Sequence, residues 1–445
     1  MNNFYDVVVV GGRVAGCSLA SSLAQHGVKV CVLERGDSQD EPVSTHIIFK
    51  PTIDRLVNQV GVDHAQLMSS RAPGLPGITF EVEKSVEVTF PFPDPAYCIR
   101  RGLMDNAIAA AARKAGADIR LDCRVTGILN NGHRITGVKT TAGEVHARFV
   151  VGADGVVSTI ARGVNAEAWL DIPSDRCCYF SYYQRVEELP NDLLMFCFDN
   201  APEPCGYLIF PTGEDQILSG YFPSDTHVEK FKNDPQGALT EQLLSFSRTA
   251  AYLKGVQTDR VYSRNTMPSY IRRSVGPGWA LVGDAGHFKD PVMAQGIGDS
   301  VKHALSLSAA LKKALENPHE EQCILSAWEK ERDLDSIDIL FMGVQMSRRA
   351  GPGPMVAQML ENAVADPKLR PVMGGIYQRT HTPADFFNLN TIFRGARGAI
   401  QQKRAKTSSI LAEVIDGGKA QFTLNKIKRQ IKSRPIRPWT LTEKL

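Results

Sequence analysis

Apolar residues enter this chain as short unbroken runs before any alternation appears. Val7 to Val10 is followed at once by Gly11-Gly12-Arg13-Val14-Ala15-Gly16, then by helical spacing from Ser18 to His26, then by a second apolar run from Val28 to Leu33. Continuous β-branched runs suit parallel strands buried on both faces, and the small residues Ala15, Gly16 and Ala20 let the intervening helix approach the sheet closely. The spacing therefore predicts a βαβ unit. Farther on, Met104, Ile108, Ala111 and Ala112 recur at helical spacing within 101–117, and a strand is expected from Ile119 towards Val125. The turn sequences Asn130-Asn131-Gly132 and Thr141-Ala142-Gly143 mark hairpins, which lead into the strand-like Phe149-Val150-Val151 and its glycine-flanked acid, Gly152-Ala153-Asp154-Gly155.

Between about Tyr179 and Tyr270 the texture changes to short β-rich stretches broken by Pro202, Pro204, Pro211 and Pro223. It returns to α/β at Ala280-Leu281-Val282, turns at Gly283-Asp284-Ala285, and enters a helix expected from Ser300 to Leu315; from Trp328 onward the pattern is mainly amphipathic helix. The expected organisation is a discontinuous nucleotide-binding domain over 1–70, 98–165 and 272–330, a β-rich substrate domain over 71–97 and 166–271, and a helical region over 331–445.

Charge changes the picture in one place. The whole chain of 445 residues is close to balanced, with 51 Lys plus Arg against 48 Asp plus Glu, which argues against a nucleic-acid partner. The last 52 residues, however, hold 13 Lys or Arg and 3 Asp or Glu, a local +10 that leaves −7 for the rest. Within that tail Ile427 and Ile431 stand four apart among Lys426, Lys428, Arg429 and Lys432, a pattern that suits weak peripheral contact with a membrane. The nine cysteines form no CxxC pair or His-linked metal spacing, so no metal is expected and a reducing, cytoplasmic setting is. No charged and apolar leader precedes Tyr5, and no apolar run is long enough for a membrane span, so secretion by a signal peptide is not expected.

The glycine turn between the first strand and helix lets backbone N–H groups face a pyrophosphate, while Glu34, ending the second strand, is placed to accept from ribose hydroxyls. The middle glycine of the GxGxxG register is Arg13, which either points away from the phosphates or adds a positive charge beside them. Three motifs at these separations, Gly11 to Gly16 with Glu34, Gly152 to Gly155, and Gly283-Asp284-Ala285-Gly286-His287-Phe288-Lys289-Asp290-Pro291, resemble the FAD-dependent monooxygenases related to para-hydroxybenzoate hydroxylase over roughly residues 4–330.

The resemblance implies an α/β fold: a Rossmann-like FAD-binding domain, a β-rich substrate domain and a helical C-terminal region. It implies that Gly11, Gly12, Val14, Ala15, Gly16, Glu34 and Arg35 hold the ADP half of FAD, with Val125 on the adenine side. By the same resemblance Asp154 lies near the pyrophosphate and is linked to pyridine-nucleotide handling, Asp284 binds the ribityl chain, and Arg101, with Arg100 as its rival, contacts FAD. The family's Pro-x-x-Gly-x-Gly is here Pro291-Val292-Met293-Ala294-Gln295-Gly296, with alanine in a glycine slot; N–H groups of Gly296, Ile297 and Gly298 would suit the electron-rich edge of a reduced flavin.

In such enzymes the cofactor performs the difficult step and the protein excludes water. Aromatic residues of the second domain, among them Phe196, Phe198, Tyr207 and Phe210, would line one sheet face over the flavin. His46, in the stretch Ser44-Thr45-His46 that in relatives passes the flavin ring, is the proton-handling candidate. Cys177-Cys178 reads as core packing. The expected activity is hydroxylation of an aromatic or other electron-rich small molecule with dioxygen and NADH or NADPH as a transient reductant. A prenyl reductase of the geranylgeranyl type is the alternative, hinted at by Gly206-Tyr207-Leu208-Ile209-Phe210-Pro211. A halogenase fits less well: there is no Trp-x-Trp-x-Ile-Pro run, and only Lys50 or Lys84 could stand in for a halogenating lysine.

Overall fold

The computed structural model describes residues 4–37, 42–44, 46–82, 86–185, 194–199, 205–213, 215–223, 228–246, 249–250, 253, 255–348, 352–436 and 439, with backbone alone at 82, 86, 194–199 and 348. Thr45, Lys84, Pro202 and Pro204 lie outside the described residues, as do the side chains of Phe196 and Phe198.

Phe4–Val10 is the central strand of the nucleotide-binding sheet. Val30–Leu33 and Gly143–Gly152 flank it in parallel, and Asp118–Arg120 and Trp279–Leu281 extend the sheet on either side. Its valines are divided by the two-residue period of a strand. Val7 and Val9 pack with Leu19, Leu23, Met104, Ile108, Val301 and Leu307 from the helices Val14–Gln25, Arg101–Ala115 and Gly296–Glu316. Val8 and Val10 face Val125, Val138 and Ile160 on the other side. Burying such side chains, each contributing about 1.5–3 kcal/mol, fixes the register by which the strand delivers Gly11 to its end.

Val125–Asn130 and Ile135–Thr140 form a meander on Gly143–Gly152. The strand expected from Ile119 towards Val125 is instead two, because Asp122 takes a left-handed φ of 51° and breaks the run. The expected boundary at 330 falls inside one continuous helix, Glu321–Arg348.

The second sheet runs Tyr262–Arg264, Cys178–Gln184, Gln216–Phe222, Cys205–Pro211, Leu194–Asp199, Leu75–Val82, Val86–Cys98 and Ile47–Ile48. All neighbours are antiparallel except Leu194–Asp199 with Leu75–Val82. The expectation that its aromatics share a face is corrected here. Tyr179, Tyr183, Tyr207 and Tyr221 turn outward, where Tyr179 stacks on Phe231 at 3.8 Å and Tyr207 on Phe246 at 4.3 Å beneath the helices Val228–Asn233 and Pro235–Ser245. Phe180, Tyr182, Leu208, Phe210, Leu218 and Phe222 turn inward. Cys177 and Cys178 are split between the same two clusters, as the alternation requires.

The C-terminal helices are not an appendage. Pro354–Ala365 and Arg370–Tyr377 pack Met359, Val372, Met373 and Tyr377 onto the inner face of that sheet. At Gly374 a Cβ would stand 1.9 Å from the Pro91 carbonyl, so the helix approaches Val86–Cys98 at a distance only glycine allows. Among the described residues, no helix is long and apolar enough to cross a membrane.

Candidate functional site

The chain leaves its first strand at Gly11 with φ +103°, where a Cβ would lie 2.4 Å from the Ala153 carbonyl oxygen. The first glycine turn is thus pressed against the turn carrying Asp154. Gly16 is held more tightly still: its Cβ would stand 1.9 Å from the Gly11 oxygen. Close approach to the acid falls on Gly12, whose N–H donates to Glu34 Oε2 at 2.6 Å, while Gly36 N–H reaches Oε1 at 3.2 Å. These backbone bonds leave lone pairs on the carboxylate for ribose hydroxyls.

Arg13 caps the helix Val14–Gln25 with an extended backbone, φ −95° and ψ −159°, so this slot needs no glycine. Its side chain makes no cap bond to the first-turn N–H groups, and its Nη1 is buried with no hydrogen-bond partner. An uncapped helix start beside a buried guanidinium nitrogen with no hydrogen-bond partner has the chemistry an anion needs, and the residues fit the pyrophosphate of FAD. Val14 and Ala15 are buried in the first turn. Val125 packs in the cluster of Val10, Leu33 and Cys123 at the strand ends, and Arg35 is exposed in the loop after Glu34.

Asp154 is committed locally. It accepts from Ser158 Oγ at 2.6 Å and Thr159 N–H at 2.6 Å, bonds that hold the start of the short helix Thr159–Gly163. Burial raises its pKa against those hydrogen bonds.

At the other end, Asp284 follows Gly283 (φ +61°), whose Cβ would meet Ala15 at 3.0 Å, so the two motifs touch. Tyr270 Oη donates to the Asp284 carbonyl at 2.6 Å. Burial raises the carboxyl pKa, and the charges of Lys289, Arg264 and Arg101 oppose that rise. Pro291–Met293 is one 3-10 turn, started by Asp290, which accepts from Val292 N–H at 3.0 Å. Ala294 then takes φ +51°, so the chain makes a left-handed turn there without the glycine. Gly296–Glu316 begins with no side-chain cap, Ile297 is buried, and a Cβ at Gly296 would enter open space. Gln295 Nε2 donates to the Tyr377 carbonyl at 2.7 Å, tying this helix start to the C-terminal region.

Arg101 and Arg100 part company. Arg101 is buried and bonds the Asp105 carboxylate through Nε and Nη2 at 3.1–3.2 Å on the FAD-domain helix. Arg100 reaches Asp259, in the loop before Tyr262–Arg264, at 2.6 Å and Gln216 on the β-rich sheet at 3.2 Å, with its guanidinium 3.9 Å over the Tyr182 ring. Both charges act on His46, which has φ +62° and shares a hydrogen bond from Nε2 with Tyr182 Oη. Burial, then the charges of Arg101 and Arg100, hold the His46 pKa well below the usual histidine value, so the imidazole is neutral.

Sequence reasoning counted Tyr182 only among the aromatics of the second domain and missed its pairing with His46, as it missed Tyr377 and the ion cluster behind the helix Gly296–Glu316. Buried Lys289 stands 2.6 Å from buried Asp299, and the Asp335 carboxylate binds Lys302 at 2.5 Å, Arg379 at 3.1 Å and His303 at 3.1 Å. Asp299, His303 and Asp335 are close enough to hold a metal ion, yet their oxygens already face three cationic side chains. Lys289 and Asp290, inside the third motif, were the available signal. Nothing local marks Tyr377, which comes from a helix 82 positions beyond its partner Gln295.

Residues 4–336 match the FAD binding domain family. Two curated relatives are digeranylgeranylglycerophospholipid reductases: that of Methanosarcina acetivorans is 26% identical, covering 72% of this chain and 81% of that protein, and that of Thermoplasma acidophilum is 25% identical, covering 73% and 82%. Among solved structures, the flavin-dependent brominase Bmp2 superposes with TM-score 0.72 at 19% identity, covering 90% of this chain and 100% of that one. The anhydrotetracycline hydroxylase OxyS of Streptomyces rimosus gives 0.64 at 20% identity, covering 84% and 76%. At these identities the superpositions establish the fold.

Proposed function

Since the chain belongs to the FAD binding domain family over residues 4–336, we propose that it is an FAD-dependent monooxygenase of the para-hydroxybenzoate hydroxylase kind. It places one atom of dioxygen in an aromatic or similarly electron-rich small molecule, reduces the other to water, and oxidises NADH or NADPH, which binds transiently. FAD supplies the electron transfer from nicotinamide and the activation of dioxygen.

The observation that carries this reading is the buried His46–Tyr182 pair, with Arg100 over the Tyr182 ring and the charges of Arg101 and Arg100 acting on His46. A neutral Nε2 accepts a proton passed through Tyr182 Oη from a substrate hydroxyl, and loss of that proton makes the ring more electron-rich. Arg100 and Arg101 disfavour a lasting imidazolium, so the proton is returned once the product forms. The inward row of Phe180, Leu208, Phe210 and Phe222 supplies apolar wall, and the helix carrying Tyr377 extends that apolar lining along the neighbouring Val86–Cys98 strand, where Tyr377 meets Phe49, Phe80 and Phe92, which keeps water out.

A second reading, reduction of a prenyl chain, is favoured by the curated relatives at about a quarter identity and by the same apolar wall. The halogenase reading has little to carry it: Lys50 pairs with Asp54 at the surface.

The deciding experiment uses labelled dioxygen, with NADH and NADPH, across a panel of phenols, anilines and polyenes. One labelled atom in a turnover product supports the monooxygenase. No label, together with reoxidation of reduced flavin by a polyene under anaerobic conditions, replaces it with the reductase.

A further inference from the structure

Seven of the thirteen large apolar side chains exposed among the described residues lie in 389–436, and six of these form two stripes. On the helix Leu389–Gln401, Leu389, Phe393 and Ile400 are 87%, 66% and 43% exposed at spacings of four and seven, a single helical face. The opposite face carries Thr391, Gly395 and Ala399 and is seated on Pro354–Ala365, with a Cβ on Gly395 only 2.3 Å from Met359. On the next helix, Thr407–Lys432, the same spacing recurs: Leu411, Ile415 and Phe422 are 58%, 48% and 73% exposed, while Ile410, Leu424 and Ile431 are buried.

The tail's cations divide between two jobs. Arg394, Arg404, Lys428 and Arg434 pair with Asp366, Glu361, Asp338 and Asp333 and fasten the helices to the body. Lys403, Lys406, Lys419, Lys426 and Arg429 are exposed and form no ion pair among the described residues. The face expected from the sequence is corrected: Ile431 is fully buried and Ile427, partly buried, packs with it against Glu321–Arg348, so the two do not form an open apolar face.

We propose that these two helices are a docking surface for a lipid bilayer bearing anionic headgroups, with Leu389, Phe393, Leu411, Ile415 and Phe422 entering the headgroup boundary and the unpaired lysines and Arg429 meeting the lipid charge. Charge complementarity selects this occupant. A second copy of the chain would bring the same exposed, unpaired cations against each other, whereas an anionic surface attracts them; setting aside the four body-paired cations, the segment keeps a positive excess and the body a negative one. Exposed phenylalanines in line with lysines are the composition of helices lying in a membrane interface.

The test is cosedimentation of the full-length FAD-loaded protein with phosphatidylcholine vesicles, with and without phosphatidylglycerol, at low and high salt. Binding is expected only with phosphatidylglycerol and is weakened by salt. The pair Phe393→Ser and Phe422→Ser is expected to lower the partition coefficient by about tenfold or more, and Lys419→Glu with Lys426→Glu to lower it comparably. All four positions are exposed, and unchanged circular dichroism and FAD content confirm that the variants fold. No binding to either vesicle, or equal binding to both, overturns the proposal. So does a dimer in sedimentation velocity that dissociates in the phenylalanine variants, which would assign the face to a second copy. The readout is independent of the reaction catalysed.

Discussion

Replacing His46 with asparagine should make the protein less sensitive to acid. Asparagine tolerates the left-handed backbone at this position (φ +62°) and keeps a polar group facing Tyr182, but it cannot bind a proton. In the native state His46 is neutral because burial and the charges of Arg101 and Arg100 depress its pKa far below 6.5; in the unfolded chain it titrates normally. Below pH 6.5 the unfolded state therefore binds a proton that the native state refuses, and wild-type stability falls as pH drops. The loss attributable to this one group is about 0.4 kcal/mol at pH 6.5, about 1.4 at pH 5.5 and about 2 at pH 5, as long as pH stays above the depressed native pKa. Urea unfolding of both proteins in excess FAD, followed by tryptophan fluorescence from pH 8 to pH 5, isolates the term, because groups common to the two cancel in the difference. The curves should run parallel above pH 7 and diverge below 6.5, with the wild type losing more. A difference that stays constant down to pH 5 would refute the buried neutral imidazole and, with it, the proton route through Tyr182.

Other substitutions test the cofactor site and the departure at Ala294. Gly16→Ala forces a methyl to within 1.9 Å of the Gly11 oxygen and should cost about 1–3 kcal/mol of stability along with bound FAD, read by thermal melting and flavin absorbance. Asp284→Ala removes a charged acceptor beside Arg101 and Lys289, and titration of the apoprotein should show FAD bound about 10- to 150-fold more weakly, equivalent to about 1.5–3 kcal/mol; unchanged affinity would remove Asp284 from the site. Ala294→Gly should stabilise the protein by about 0.5–1 kcal/mol in urea unfolding, since relief of the left-handed strain exceeds the entropy glycine adds to the unfolded chain.

The nucleotide end was legible because its physics is local. Gly11, Gly12, Gly16 and Glu34 belong to one contiguous strand, turn, helix and strand, where backbone sterics and the uncapped helix start dictate residue type at fixed spacing. Even the missing glycine at Arg13 has a local account, its extended backbone. The substrate end was not legible, because alternation along a strand gives two faces without saying what covers each. Only the packed molecule turns Tyr207 outward onto Phe246 and Tyr182 inward to His46, a partner 136 positions away. Helical periodicity has the same limit: Ile427 and Ile431 form an apolar face in the sequence, and the docking of Thr407–Lys432 on Glu321–Arg348 spends that face inside. Which apolar residues remain for solvent or a partner depends on how much surface each neighbouring element can bury, and that is a property of the assembled tertiary structure alone.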